Sequence, residues 1–199
     1  TPFTASILRR KLAEAGLQNE APITVIPLSG RFDVGPFNIE LITLTHSIPE
    51  PNACVIRTSA GSVMHTGDWK LDPDPMVGPS TDEAALIRAG EEGILAMVCD
   101  STNVLVEGTS GSEGSVRAKL TEMIGNYDNR VVVACFASNV ARLESIAFAA
   151  AENDRSVALV GQSLLRFNEA ARENGYLTDV PRFLSPKEAS LLPRDKVLL

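Results

Sequence analysis

Both histidines of this 199-residue chain fall in one stretch, LTHSIPEPNACVIRTSAGSVMHTGDWKLD, residues 44 to 72. His46 follows an apolar run, and Asp68 follows Gly67, a residue that permits close backbone approach. A third residue, Asp100, ends the apolar run ILAMVCD, with Ser101, Thr102 and Asn103 behind it. Imidazole nitrogens and carboxylate oxygens are ligands of hydrolytic metal centres, and strand ends project such side chains from a rigid frame. Taken singly, each has a plain alternative, a hydrogen-bonded turn histidine or a capping carboxylate. Three strand-end residues of ligand type together point to a metal site more than any one of them does. His65 reads differently. It precedes Asp68 by three residues, so period-two alternation turns it to the opposite face, and it is expected to pack inside as a structural residue.

A second group lies at FASN, residues 136 to 139. A strand ends there and small polar residues open a helix, whose N–H groups and dipole favour an anion. Ser138 and Asn139 are candidate phosphate contacts, with plain N-capping as the alternative, and Arg142 stands one turn further on. Gly161-Gln162-Ser163 repeats the arrangement after the next strand. Cys54, Cys99 and Cys135 have no CxxC spacing and are odd in number, so they read as buried free thiols of a reducing cytoplasm rather than a disulfide framework or zinc knot.

The elements that would hold these residues change character along the chain. Residues 5 to 15 read as a helix with Leu8 and Leu12 on one face. Apolar runs at 23–28, 37–46, 53–59 and 62–68 read as strands, the last two joined as a hairpin around Ser59-Ala60-Gly61. In FNIELITLTH the alternation set by Phe37, Ile39 and Leu41 slips phase at Ile42 and Leu44, which signals a bulge or a strand covered on both faces. DPDPMVGPSTDE is a loop into a short helix capped by Thr81 or Asp82. The run 94–100 reads as a strand buried on both faces. From there strands alternate with helices. One helix aligns Val116, Leu120, Met123 and Ile124, and the next aligns Val140, Leu143, Ala147 and Ala150. RVVVACFAS, SVALVG and KVLL are the strands of a parallel, Rossmann-like sheet. The shift places a domain boundary between residues 100 and 108, giving residues 1–104 and 105–199.

Bulk composition narrows the function. Hydrophobic residues make up 44% and charged residues 22%, as in folded globular chains, and no apolar run reaches membrane-spanning length. The net charge of −7 disfavours a broad nucleic-acid-binding surface and suits plain solubility, while leaving room for a local basic groove. The N-terminal segment lacks the apolar core of a secretory signal. The first residue is not Met, so the chain is expected to be processed or cut from something longer.

THSIPEPNACVIRTSAGSVMHTGDWKLDPDP, continued through CDSTN, SEGSV, FASNVAR and VALVGQSLLR, resembles the metallo-β-lactamase-fold nucleases of the β-CASP family, and within it the ribonuclease J-like members. THS and HTGD followed about thirty residues later by DSTN is a specific combination, and the resemblance spans nearly the whole chain. It implies an α/β fold in which a partial metallo-β-lactamase αββα sandwich (1–104) is followed by part of a Rossmann-like β-CASP domain (105–199). It implies that His46 is a metal ligand, that Asp68 bridges two metal ions, and that Asp100 is the acid of the first β-CASP motif, working beside the leaving group. Two zinc ions, or manganese, are the cofactors it implies, and RNA the substrate, cleaved by hydrolysis in the cytoplasm. Ser138, Asn139 and Arg142 would then touch RNA.

The family's HxHxDH signature and its later histidine motifs do not occur in the sequence. The chain is therefore expected to be an internal segment, inactive and metal-free by itself, of a larger metal-dependent ribonuclease that forms homo-oligomers. Exposed sheet edges are expected to drive dimerisation of the segment. A small-molecule metallo-hydrolase acting on a lactone or thioester, and a non-catalytic nucleic-acid-binding scaffold, are the competing readings.

Overall fold

A computed structural model describes residues 1–199, which gather into two compact units. Unit 1 comprises residues 1–46, 50–73 and 78–110, and unit 2 comprises 47–49, 74–77 and 111–199.

Unit 1 opens with helix α1, Pro2–Glu14, where proline at the first helical position costs no hydrogen bond. Its buried residues are Phe3, Ala5 and Ser6, whereas Leu8 is exposed, so the expected Leu8/Leu12 face is not the one that packs. The run at 23–28 forms no strand. The ladder begins instead at β1, Arg31–Val34, which turns back at Gly35-Pro36 onto β2, Phe37–Thr43. Gly35 has φ +56°, and glycine first in a two-residue loop is the pattern of a II′ hairpin. β2 pairs with β3, Asn52–Thr58, without interruption from Asn38 to Thr43, so there is no bulge. The phase slip reflects cover on both faces, since the neighbours Ile42 and Thr43 are both buried. β3 turns through Ser59-Ala60 into β4, Gly61–His65, as the expected hairpin.

Helix α2, Glu83–Glu92, is capped by Asp82, whose carboxylate accepts the Ala85 N–H at 2.9 Å. It is the crossover that lets β5, Ala96–Val98, pair parallel to β4, and the five strands run in the order β1-β2-β3-β4-β5. Ala85 and Ala89 of α2 are small enough to sit close on the sheet, against Ile42, Leu44, Ala53, Val55 and Met64. Burying each of the larger side chains contributes about 1.5–3 kcal/mol. β5 departs from expectation. It is an edge strand with Met97 60% exposed, and Leu95 just before it is 75% exposed. Its apolar run signals burial, but no layer of unit 1 covers it.

Unit 2 contains α3, Glu113–Gly125, and α4, Val140–Ala151, packed on each other. Val140, Leu143, Ala147 and Ala150 are buried as expected, while Met123 of α3 is exposed. After β6, Ser156–Val157, come α5, Gln162–Glu173, α6, Pro186–Ser190, and β7, Val197–Leu198. The parallel sheet is present in short form. β6 pairs with β7 in parallel, Val131 bridges Leu198 in parallel, and Ala158 bridges Leu184 in parallel. The segment 131–136 is thus attached through its first residues only, and Phe136 is 84% exposed rather than buried in a strand.

Each unit carries an ionic network. In unit 1 the Glu40 side chain is nearly inaccessible and receives Arg31, Arg57 and Arg88 at 2.7 Å each. Burial opposes ionisation of Glu40, but the three guanidinium hydrogen bonds outweigh it and hold the carboxyl below its usual range. In unit 2, Arg117 lies over the Phe148 ring at 4.8 Å and pairs with Glu144. No helix is long and apolar enough to cross a membrane.

Candidate functional site

His46 is placed by a clamp at the end of β2. The neighbouring Thr45 is buried and its backbone carbonyl accepts the Lys70 N–H at 2.9 Å. Its hydroxyl donates to the Lys70 carbonyl, accepts the Asp72 N–H at 3.0 Å, and lies 3.1 Å from the Thr81 hydroxyl. The loop 70–72 and the approach to α2 are thereby fixed on either side of His46, which is half-buried.

Asp68 is not a strand-end residue. β4 stops at His65, and Thr66-Gly67 carries the chain to an exposed Asp68. Gly67 has φ +61°, and a Cβ there would meet the Asn52 carbonyl at 3.3 Å, so the turn needs glycine for both conformation and space. His65 does not pack inside. It is exposed, because it stands where β4 leaves the sheet, and its Nδ1 accepts the Gly67 N–H at 3.0 Å. Accepting at Nδ1 puts the proton of a neutral ring on Nε2. His65 therefore holds the turn that carries Asp68.

Asp100 lies beyond β5 and is held at every polar atom of its backbone. Its N–H donates to the Thr66 hydroxyl at 3.1 Å, and its carbonyl accepts the Trp69 indole N–H at 3.2 Å and the Cys99 thiol at 3.3 Å. Its Oδ1 accepts the Thr102 hydroxyl at 2.6 Å and the Thr102 N–H at 3.0 Å. These Thr102 bonds, the hydroxyl foremost, and the charge of His46 hold the Asp100 carboxyl below the usual carboxylate range. The Thr66 hydroxyl also donates to the Gly67 carbonyl at 2.8 Å. One hydroxyl thus ties the Asp68 turn to the Asp100 turn.

A cleft of about 710 Å³ opens beside these groups. His46, Trp69, Lys70, Asp100, Thr102 and Asn103 are among its lining residues, and Asp68 is not. The structure therefore brings His46 and Asp100 to one cleft, while Asp68 is linked to it through Thr66. No three His, Cys, Asp or Glu side chains of the chain assemble into a metal-binding group. The residues of this chain alone do not fit a dinuclear metal centre. Thr66 and Trp69 were not singled out from the sequence. The signal was the pair of hydrogen-bonding side chains flanking Gly67-Asp68 in HTGDW.

The second group of candidates has partners of its own. The Asn139 side chain caps α4 by accepting the Arg142 N–H at 2.8 Å, which is the capping alternative. The Arg142 guanidinium grips Glu113 through two bonds, 2.7 and 3.2 Å. Ser138 is exposed. The cysteines are free, but only Cys54 and Cys135 are partly buried, and burial pushes both thiols up. Cys99 is exposed because β5 is uncovered.

Residues 128–199 match the model of the ribonuclease J β-CASP domain. The chain is 47% identical over its full length to ribonuclease J of Sinorhizobium meliloti, covering 35% of that protein. It is 39% identical over 99% of its length to ribonuclease J of Thermus thermophilus, again covering 35%. It is 30% identical to ribonuclease J2 of Bacillus subtilis, covering 36%. In fold it is similar to a protein of unknown function from Enterococcus faecalis V583, with a TM-score of 0.66 at 15% identity, over 99% of this chain and 51% of that one. The chain spans about a third of the length of the curated relatives it matches. Along its whole length the chain is thus similar to part of ribonuclease J, and residues 128–199 match that protein's β-CASP domain, on a mixed α/β fold consistent with that type.

Proposed function

We propose that this chain is part of a metal-dependent ribonuclease that hydrolyses RNA phosphodiester bonds in the cytoplasm, with residues 1–104 contributing to a metallo-β-lactamase domain and 105–199 to a β-CASP domain. The observation that carries the reading is the joint placement of three groups. His46 and Asp100 face one cleft, and the Thr66 hydroxyl ties the Asp68 turn to the Asp100 backbone. His46 and Asp68 supply two metal donors, and the remaining ligands of a dinuclear zinc or manganese centre come from other parts of the protein. Asp100, held below the usual carboxylate range by its Thr102 hydrogen bonds, is suited to act beside the reacting phosphodiester. Contact of RNA with Ser138, Asn139 and Arg142 requires a phosphate to take the place of Glu113 on the Arg142 guanidinium. The parallel sheet of unit 2 and its β-CASP match favour this over a hydrolase of small lactones or thioesters.

The test is the full-length protein on 5′-monophosphorylated RNA with zinc or manganese. Degradation that is lost in His46→Ala and Asp100→Ala is expected, and an intact substrate would overturn the reading. By itself the 199-residue chain is expected to be inactive and to give no tight zinc isotherm. A calorimetric titration showing tight binding that weakens in His46→Ala would contradict this.

A further inference from the structure

We propose that Trp69 is a stacking platform for an unpaired nucleobase, and that the cleft it shares with His46 and Asp100 holds, beside the reacting phosphodiester, the base of a neighbouring nucleotide of single-stranded RNA. The inference deepens the ribonuclease reading and rests on it. Four observations carry it. Trp69 lines the cleft and is 38% exposed, while its indole N–H is anchored at 3.2 Å on the Asp100 carbonyl. A ring fixed along one edge and open elsewhere binds a flat partner with little loss of side-chain freedom. Leu71, Val104 and Val106 line the same cleft and are exposed, so an apolar wall stands with the indole. Glu107 lines the cleft and Lys70 is paired with Asp72 at 3.1 Å, so beyond the reacting phosphate a further anion is repelled. An uncharged base escapes that repulsion, and its edge finds Ser101, Thr102 and Asn103 on the lining. The volume of about 710 Å³ lies within the range of small-ligand sites. Stacking needs a base free of its complement, which makes the site selective for single strands.

Trp69 is the sole tryptophan of the chain, so its emission reports on the site directly. A short oligouridylate is expected to quench it in the 199-residue chain, and an abasic oligonucleotide of the same length and charge is not. In the full-length protein, cleaving single-stranded RNA, Trp69→Ala is expected to raise KM by about 5- to 100-fold, with a much smaller change in kcat. Trp69→Phe keeps the stacking face and loses the N–H bond to Asp100, so it is expected to stay near the parent KM. Where the parent enzyme cleaves RNA, an unchanged KM in Trp69→Ala, or a Trp69→Phe variant as impaired as Trp69→Ala, overturns the platform and leaves the ribonuclease reading standing. Where the parent cleaves no RNA, that reading fails, and quenching by the abasic control as strong as by the oligouridylate overturns the platform as well.

Discussion

At the scale of single residues, the site is a set of backbone turns held by hydroxyls and ring nitrogens. Thr66 is the one that joins two of them, donating to Gly67 and accepting from Asp100. Groups that orient a reactive side chain without touching substrate typically cost 10- to 100-fold when removed. Thr66→Val in the full-length enzyme is therefore expected to lower RNA cleavage by about 10- to 100-fold, while Thr66→Ser retains most of it. Steady-state rates on one RNA decide this, and a valine variant with parent activity would remove Thr66 from the machinery. Residue type and spacing drew attention to His46, Asp68 and Asp100, and the structure brings His46 and Asp100 to one cleft. The role of His65 was not. Alternation along a strand predicts a side only while the strand continues, and β4 ends at His65 itself. Beyond that point the Gly67 turn, not the pleat, decides what His65 meets.

At the scale of elements, hydrophobic pattern found what packs and missed what stays at the surface. The hairpin of β3 and β4 and the buried face of α4 followed from pattern because both are buried against neighbours in this chain. β1 escaped notice because RFDV is an edge strand with little to bury, and the apolar run at 23–28 drew attention in its place. β1 is nonetheless tied in by charge, since Arg31 at its start reaches Glu40 on β2. Glu40→Gln keeps the shape and removes the charge that three arginines share. It is expected to destabilise unit 1 by roughly 1.5–3 kcal/mol, measured by urea denaturation at neutral pH. The sign with pH follows from the depressed carboxyl. The contribution of Glu40 is complete above its ordinary value of 4.5 and is lost as the pH falls below it toward the folded value. The parent and the Glu40→Gln variant should therefore converge in stability as the pH is lowered from 4.5, and a gap that stays constant would refute the assignment.

At the scale of the whole molecule, the exposed apolar surface is the dominant feature. Unit 1 leaves Leu95, Met97 and Val98 open along β5, and unit 2 leaves Val132, Phe136 and Val160 open. Such residues on a protein surface mark contact surfaces, and an open strand edge is a template for pairing. Light scattering of the 199-residue chain is expected to show mass rising with concentration, whereas a constant monomer mass at high concentration would contradict it. The burial expected of 94–100 and 131–136 was read correctly as chemistry and wrongly as geometry. Their composition records contact with something, and the units of this chain do not provide it.

The short sheet of unit 2 has a consequence in time. Leu198 stands between Val131 and Val157 and pairs with both, and the Leu199 N–H and carbonyl bond to Val131 and Val133. The middle strand is thus the last of the set to be made. On a ribosome, residues 131–133 and 156–157 would wait some forty residues or more of synthesis for the partner that joins them, roughly two to eight seconds at typical rates. Through that interval α3 and α4 can pair, but their sheet cannot close, and the apolar side chains around Val132 stay without the strand that flanks them.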